Sequence, residues 1–110
     1  MNLNIRHEEM EQTLLVYLIG EVDAYTAPKL RDTLIPLTEE KDKEIVIDLT
    51  DVEYIDSTGL GVFIGALKSS HNHDSRIKLR GLSKRVSRLF KITGLDEVID
   101  IEEAEREEAK

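Results

Sequence analysis

The sequence contains no cysteine, which excludes a disulfide framework and any metal site held by thiolates. No apolar run approaches the ~20 residues that a membrane-spanning helix needs, and the N-terminus lacks the charged and apolar regions of a secretory signal. The phosphate-binding patterns G-x-x-x-x-G-K-[ST] and G-x-G-x-x-G are also missing. These absences predict a cytoplasmic protein with no membrane partner and no nucleotide-binding loop of a known kind.

Basic residues are fewer than acidic residues in this chain. Lysine and arginine number 15 against 23 aspartates and glutamates, which gives a formal net charge of −8 at pH 7. This excess works against binding to phosphate backbones, so we expect no nucleic-acid partner. It is compatible with docking on a basic protein, although solubility alone also explains it. With 110 residues and a hydrophobic content of 40%, we expect one globular domain over residues 1–110 with a modest core.

Strand-like and helix-like patterns alternate along the chain. Runs of β-branched and large apolar residues predict strands, and apolar residues at i, i+3, i+4 and i+7 predict helices. This alternation predicts an α/β fold, in which a central mixed sheet of four to five strands is covered by three to four helices. The predicted strands lie at 3–6, 13–19, 44–49, 76–80 and 98–101, and the predicted helices begin near Thr26, Ser57 and Ser83.

Glycine, proline and polar clusters set the expected ends of these elements. We expect a polar turn over residues 8–12, and we expect Gly20 to close the second strand. Pro36 should end or kink the first helix. A turn is predicted at 48–51, because Asp and Thr cluster there after the third strand. The acidic segment 102–110 is expected either to form a last helix or to fray.

A catalytic role is tested first at the stretch 56–61, Asp-Ser-Thr-Gly-Leu-Gly, which joins the third strand to the second helix. A nucleophilic serine needs a base within hydrogen-bond reach. His71 and His73 lie at the far end of a helix of about 13 residues, roughly 20 Å away from Ser57. The G-x-S-x-G elbow is missing, and a polar loop explains the two histidines better than a metal site does. We therefore predict no catalytic residue, no metal and no cofactor.

Ser57 has instead the properties of a modification site. It lies at or next to a helix N-terminus, where it serves either as the N-cap or as an accessible hydroxyl. Gly61, Gly65 and Ser69 continue its stripe along the helix. A glycine inside a helix costs about 1 kcal/mol relative to alanine. The stripe therefore indicates either a groove for a partner, which we favour, or close packing of the helix on its own sheet.

Three segments resemble one known family. Residues 54–61, Tyr-Ile-Asp-Ser-Thr-Gly-Leu-Gly, resemble the phosphorylation loop of the bacterial anti-sigma factor antagonists, which are STAS domains. Residues 20–28 resemble the family's second strand and its exit, and residues 88–95 its late helix and stop. The segments occur in the family's order and spacing. Within the family, the chain looks most like the antagonist of the general-stress sigma factor pathway.

The resemblance implies a partner switch and not an enzyme. Unphosphorylated, such a protein binds an anti-sigma factor that is also a serine kinase, so that the sigma factor is released. Phosphorylation of Ser57 would break the complex, and a PP2C-type phosphatase would restore it. We expect Asp56 to orient or polarise the hydroxyl, and Thr58 is a second candidate hydroxyl or the true N-cap. The predicted partner-docking residues are Asp23, Asp56, Thr58, Gly59, Gly61 and Gly65.

Other functions and assembly states stay open at this point. A STAS domain can also serve as a scaffold subunit of a larger sensory complex. A small-ligand-binding domain is a third alternative, which the lack of a glycine-rich phosphate loop disfavours. A weak dimer is compatible with the sequence, and Asp23 fits a solvated turn as well as it fits a docking surface.

Overall fold

The computed structural model describes residues 2–102, in which five strands and three α-helices alternate. The confirmed class is α/β with a mixed sheet, as the sequence predicted. The helix or frayed segment that the sequence predicts over 102–110 lies, beyond Glu102, outside the described residues. The strands are β1 (Leu3–Met10), β2 (Thr13–Val22), β3 (Glu44–Ile55), β4 (Arg76–Arg80) and β5 (Asp100–Ile101), and the helices are α1 (Ala27–Thr38), α2 (Ser57–Asn72) and α3 (Lys84–Ile92), which a 3-10 turn at Leu95–Glu97 follows.

The strands lie in the order β1-β2-β3-β4-β5. β1 is antiparallel to β2, and every later neighbour pair is parallel. Parallel neighbours joined by helices bring their carboxyl ends to the same edge of the sheet. The segments that follow β2 and β3 are therefore neighbours in space.

The helices cover one face of the sheet. Along β2 the buried and half-buried side chains alternate, because one face of the strand points into the core. The rings of Phe63 in α2 and Phe90 in α3 meet edge to face at 6.0 Å, and α1 packs beside α2. Of the helices within residues 2–102, none has the length and hydropathy to cross a bilayer. The largest fully buried side chains are Phe63, Phe90, Leu14, Leu18, Leu30, Leu34, Ile45, Ile47, Leu49, Leu79, Val16 and Val22.

β1 and β2 are longer than the sequence suggested. β1 pairs with β2 as far as Met10 opposite Thr13, so the turn predicted over 8–12 shortens to two residues. Gly20 does not close β2, because the strand continues to Val22 with a register shift beside the glycine. A Cβ at Gly20 would collide with the backbone oxygen of Asn2. The backbone just before β1 therefore approaches so closely that only a glycine fits at position 20.

β3 also continues through residues that were predicted to turn. Its register against β2 shifts between the pairs Tyr17–Asp48 and Ile19–Asp51, which marks a bulge. At this bulge the Thr50 N–H donates to Asp48 Oδ1 at 2.9 Å, the local bond that aspartate makes in turns. Pairing with β2 overrides the turn preference, and β3 carries the chain on to Ile55.

The predicted start of α3 is confirmed, and the predicted end of α1 is partly wrong. Ser83 caps α3 by accepting a hydrogen bond of 3.1 Å from the Val86 N–H. Gly94 takes the left-handed conformation with φ 78° after the helix, which is typical of a glycine that follows a helix end. Pro36 does not stop α1, which continues for two residues to Thr38. A proline in the last turn removes only one helical hydrogen bond, so the final residues stay helical.

Candidate functional site

The predicted phosphorylation site lies at the edge where β2 and β3 end. Val22, the last residue of β2, pairs with Ile55, the last residue of β3. The N–H of Asp56 donates to the Val22 carbonyl at 3.1 Å, which ties the segment after β3 to the end of β2. Only Asp56 separates β3 from α2, so Ser57 is the first residue of the helix.

Asp56 is the N-cap of α2. Its backbone is extended, with φ −100° and ψ −175°, and its Oδ1 accepts a hydrogen bond of 2.9 Å from the Gly59 N–H. The N-cap role considered for Ser57 and Thr58 is therefore wrong, because the preceding carboxylate already fills it. Ser57 and Thr58 are both exposed in the first turn of α2. Among the interactions of residues 2–102, no hydrogen bond engages either hydroxyl.

Gly59 packs against the end of β2. It is buried, and a Cβ there would lie 2.6 Å from Val22 Cγ1 and 2.7 Å from the Val22 carbonyl oxygen. A larger residue would push the start of α2 away from β2. Gly59 therefore has a packing role that the sequence did not predict, and the docking role predicted for it stays a prediction.

Gly61 and Gly65 border open space. A Cβ built at either position would meet no atom within 4 Å, so close packing of this stripe on the sheet is wrong as an explanation. At the far end of the stripe, the Ser69 hydroxyl lies 2.6 Å from the Thr38 hydroxyl of α1. The stripe is thus open near Ser57 and closed by α1 at its other end.

Asp23 points inward and organises the turn after β2. It is 5% exposed, and its Oδ1 accepts hydrogen bonds from the N–H groups of Tyr25 at 2.9 Å and Thr26 at 3.1 Å. The Thr26 hydroxyl donates to the Glu21 carbonyl at 2.9 Å and accepts from the Asp23 N–H at 2.9 Å. Neither a solvated carboxylate nor direct docking by Asp23 fits this burial. The side chain that the turn presents is Tyr25, which is 83% exposed.

An apolar groove lies beside the phosphorylation loop and was missed by sequence reasoning. β3 extends past its last pair with β4, at Asp48–Arg80, and α3 packs beside this extension. The groove has a volume of about 240 Å³. The periodicity of apolar residues in α3 does not reveal the groove, because it does not show that the helix overhangs a strand end. The lining residues are Tyr54, Ile55, Val86, Leu89 and Ile92, with Arg85 and Arg88.

The charged groups outside the loop have structural roles. Burial raises the pKa of Asp48, but hydrogen bonds from Thr50 and Arg80 outweigh it and hold the pKa below its ordinary value. Arg80 Nε lies 2.8 Å from Asp48 Oδ2. Its guanidinium carbon also lies 6.0 Å from the centre of the Tyr17 ring, near the limit for a cation–π contact.

The histidines at the end of α2 lie far from the Ser57 hydroxyl. α2 has 16 residues, so its histidine-bearing end is roughly 24 Å from Ser57. His73 Nδ1 lies 2.8 Å from the Ser69 carbonyl oxygen, within its own helix end. Across residues 2–102, no group of three or more His, Asp or Glu side chains is placed to hold a metal ion. The carboxylate next to Ser57, that of Asp56, is engaged in capping the helix, and the exposed hydroxyl can receive a group that an external enzyme transfers.

The chain is similar in sequence to several known proteins. Residues 4–108 match the family model described as STAS domain. The chain is 45% identical over 108 residues to the anti-sigma-B factor antagonist of Listeria monocytogenes, covering 97% of this chain and 95% of the relative. It is 46% identical over 101 residues to the anti-sigma-B factor antagonist of Bacillus subtilis, covering 92% of each. The Staphylococcus aureus protein of the same name is 40% identical over 103 residues, covering 94% and 95%.

Solved structures share the fold. A putative anti-sigma factor antagonist from Thermotoga maritima superposes with a TM-score of 0.83 at 23% identity, covering 96% of this chain and 91% of that one. The unphosphorylated anti-sigma factor antagonist SpoIIAA gives a TM-score of 0.70 at 18% identity, covering 98% and 94%. Phosphorylated SpoIIAA from Bacillus gives 0.70 at 19% identity, covering 94% and 95%.

Proposed function

The chain belongs to the STAS domain family, and from this membership we propose that it is an anti-sigma factor antagonist controlled by phosphorylation of Ser57. Unphosphorylated, it binds an anti-sigma factor that is also a serine kinase, and the sigma factor is released. Relatives at 40–46% identity over nearly their full length carry the name anti-sigma-B factor antagonist, which supports a role in transcription regulation and stress response. The observation that carries the proposal is the exposed Ser57 hydroxyl, which no capping bond engages.

The partners and the setting follow from the same proposal. The kinase uses ATP and supplies its own base, since the neighbouring Asp56 carboxylate is engaged as the cap of α2, and a PP2C-type phosphatase restores the binding form. The protein acts in the cytoplasm as one domain over residues 1–110. It is a substrate and a binding partner, and it is not itself an enzyme.

The magnitudes indicate how a phosphate would act. It adds about −1.5 to −2 charges at pH 7, which a helix N-terminus favours by roughly 0.3–1 kcal/mol. The carboxylate of Asp56, one residue away, opposes this gain. Burying an unpaired dianion in an interface costs several kcal/mol, and each ~1.4 kcal/mol is tenfold in affinity. Phosphorylation therefore lowers affinity for the partner and leaves the fold intact.

The surface around Ser57 supports this use. Gly61, one turn along α2, borders open space, so a partner backbone can approach the hydroxyl closely. A phosphate at Ser57 would fill the space through which the partner backbone approaches. The kinase and the docking partner thus contact one surface, and the modification that the kinase makes also ends its own binding.

The proposal is tested by incubating the protein with its anti-sigma factor and ATP, followed by mass spectrometry of the modified residue. We expect one phosphate at Ser57 and none in the Ser57→Ala variant. Thr58→Ala is the matched control, because it removes the adjacent exposed hydroxyl and should leave phosphorylation intact. Phosphate on Thr58 alone, or a megadalton assembly without any kinase complex in size-exclusion chromatography, would contradict the proposal.

A further inference from the structure

We propose that Tyr25 is an anchor residue for the anti-sigma factor, held outward by the buried carboxylate of Asp23. This inference rests on the proposed function and adds a specificity-determining residue to it. Asp23 then acts as a positioning residue, which replaces the direct docking role that the sequence suggested for it.

The turn that carries Tyr25 is rigidly held. The Asp23 carboxylate accepts hydrogen bonds from the N–H of Tyr25 and from the N–H of Thr26. The Thr26 side chain, which is 6% exposed, ties the turn back to the Glu21 carbonyl. Asp23 is nearly fully buried. The hydrogen bonds that its carboxylate accepts come from Tyr25 and Thr26, the residues of the turn itself. A preorganised loop loses little conformational entropy when a partner binds it.

Tyr25 lies at the same edge as Ser57. It is three residues beyond Val22, and Ser57 is two residues beyond Ile55, which pairs with Val22. The hydrogen bond of 3.1 Å from the Asp56 N–H to the Val22 carbonyl holds the segment after β3 against the end of β2. Tyr25 and Ser57 thus follow two strand ends that are directly paired, and one partner surface can span both.

The exposure of Tyr25 is unusual among the aromatic residues of this chain. Phe63 and Phe90 are buried in the core, and Tyr17 lies beside Arg80. Tyr54 is 46% exposed, whereas Tyr25 is 83% exposed. Within residues 2–102, no aromatic or cation contact is made by the Tyr25 ring.

A tyrosine in this setting has the chemistry of an interface anchor. Tyrosine is enriched among the residues that dominate binding energy, because it buries a large apolar ring and has only two rotatable side-chain angles. Its hydroxyl needs a partner once it is buried. The partner surface that fits is an apolar slot with one polar group at its mouth, located beside the position that receives the Ser57 hydroxyl.

The test compares Tyr25→Ala and Tyr25→Phe with the wild type by titration calorimetry against the unmodified anti-sigma factor. Tyr25→Ala should weaken binding by about tenfold or more, and Tyr25→Phe should restore most of the affinity, because the ring supplies most of the buried area. Met10→Ala is the matched control. Met10 is 49% exposed, but it lies opposite Thr13 at the other end of β2, so its loss should leave binding unchanged.

A kinetic readout separates docking from a structural effect. In phosphorylation assays, Tyr25→Ala should raise the KM for the antagonist and leave kcat unchanged, since Ser57 itself is intact. Asp23→Ala should also weaken binding, and adding Tyr25→Ala to it should cost less than it does in the wild type, because the turn no longer presents the ring. Thermal melts of each variant identify any that fail to fold. If Tyr25→Ala is one of them, Tyr25→Phe still shows how much of the affinity depends on the hydroxyl and how much on the ring.

The outcomes distinguish this inference from the proposed function. If the wild type binds its anti-sigma factor and Tyr25→Ala binds equally well, Tyr25 is not an anchor and the proposed function stands. If the wild type itself does not bind, the proposed function fails first. Fully additive losses for Asp23→Ala and Tyr25→Ala would overturn the positioning role of Asp23.

Discussion

The Oδ1 atom of Asp56 accepts a hydrogen bond of 2.9 Å from the backbone N–H of Gly59. This bond caps α2 with the residue before the predicted phosphorylation site. A serine in the cap position would bury its hydroxyl in a structural contact, and a phosphate there would break the cap. Because the carboxylate takes that position, the hydroxyl of Ser57 can be modified and restored without changing the start of the helix.

The first prediction concerns this cap. Asp56→Ala should lower the free energy of unfolding by about 1 kcal/mol, the usual loss when an N-cap aspartate is removed. Asp56→Ser keeps an acceptor and should recover most of the stability. Urea denaturation of the three proteins measures this. Equal stability of Asp56→Ala and the wild type would mean that the capping bond contributes nothing to the folded state.

How much of this site is visible in the sequence depends on which forces act there. The strand-to-helix junction at Asp56 is predictable because it depends on local periodicity and on capping chemistry. The extension of β3 through 48–51 is not, because pairing with β2 overrides a local turn preference. The inward orientation of Asp23 also escapes prediction. An aspartate after a strand suits a solvated turn equally well, and only the tertiary structure shows which side chain the turn presents.

The second prediction concerns Ser57 itself. Ser57→Ala should bind the anti-sigma factor constitutively, and Ser57→Asp should bind at least about tenfold more weakly, because it places a charge without a partner in the interface. Titration calorimetry compares the two variants. Met10→Asp is the control, because it adds the same charge at an exposed residue at the other end of β2. Equal affinities for the alanine and aspartate variants would remove the basis for the switch.

The third prediction separates the effect of the phosphate on binding from its effect on folding. Phosphorylated and unmodified protein should melt within a few degrees of each other, because the helix N-terminus and the Asp56 carboxylate act on the phosphate with opposite signs and similar size, about 1 kcal/mol or less each. Differential scanning calorimetry on both forms measures this. A large fall in melting temperature would show that the phosphate acts by loosening the loop.

The fourth prediction is a pH dependence of stability that arises at Asp48. Its pKa in the folded protein is below its ordinary value, despite burial, because of the bonds from Thr50 and Arg80. The resulting stabilisation is present above the unfolded pKa and is lost as the pH falls through the folded pKa. Urea titrations should therefore show the difference between the wild type and Asp48→Asn shrinking in acid. Glu53→Gln, an exposed change on the same strand, controls for net charge; a difference that stays constant with pH would contradict the prediction.

The last prediction uses two glycines of α2 that differ only in their surroundings. Gly61→Ala places a methyl group in open space, so the better helix propensity of alanine should stabilise the fold by up to about 1 kcal/mol. Gly59→Ala places the same group 2.6 Å from Val22 Cγ1 and 2.7 Å from the Val22 carbonyl oxygen, and it should destabilise by roughly 1–3 kcal/mol. Urea denaturation gives both values.

A binding measurement on the Gly61→Ala variant tests whether this exposed glycine of α2 serves partner contact. If the partner approaches α2 closely beside Ser57, Gly61→Ala should weaken binding to the anti-sigma factor even though it stabilises the free protein. Ile64→Ala, a change at an exposed residue of the same helix, is the control for a general effect on α2. A Gly61→Ala protein that is both more stable and fully active in binding would assign the open stripe no role in docking. Opposite signs for stability and affinity are expected only when the glycine is retained for its contact with a partner.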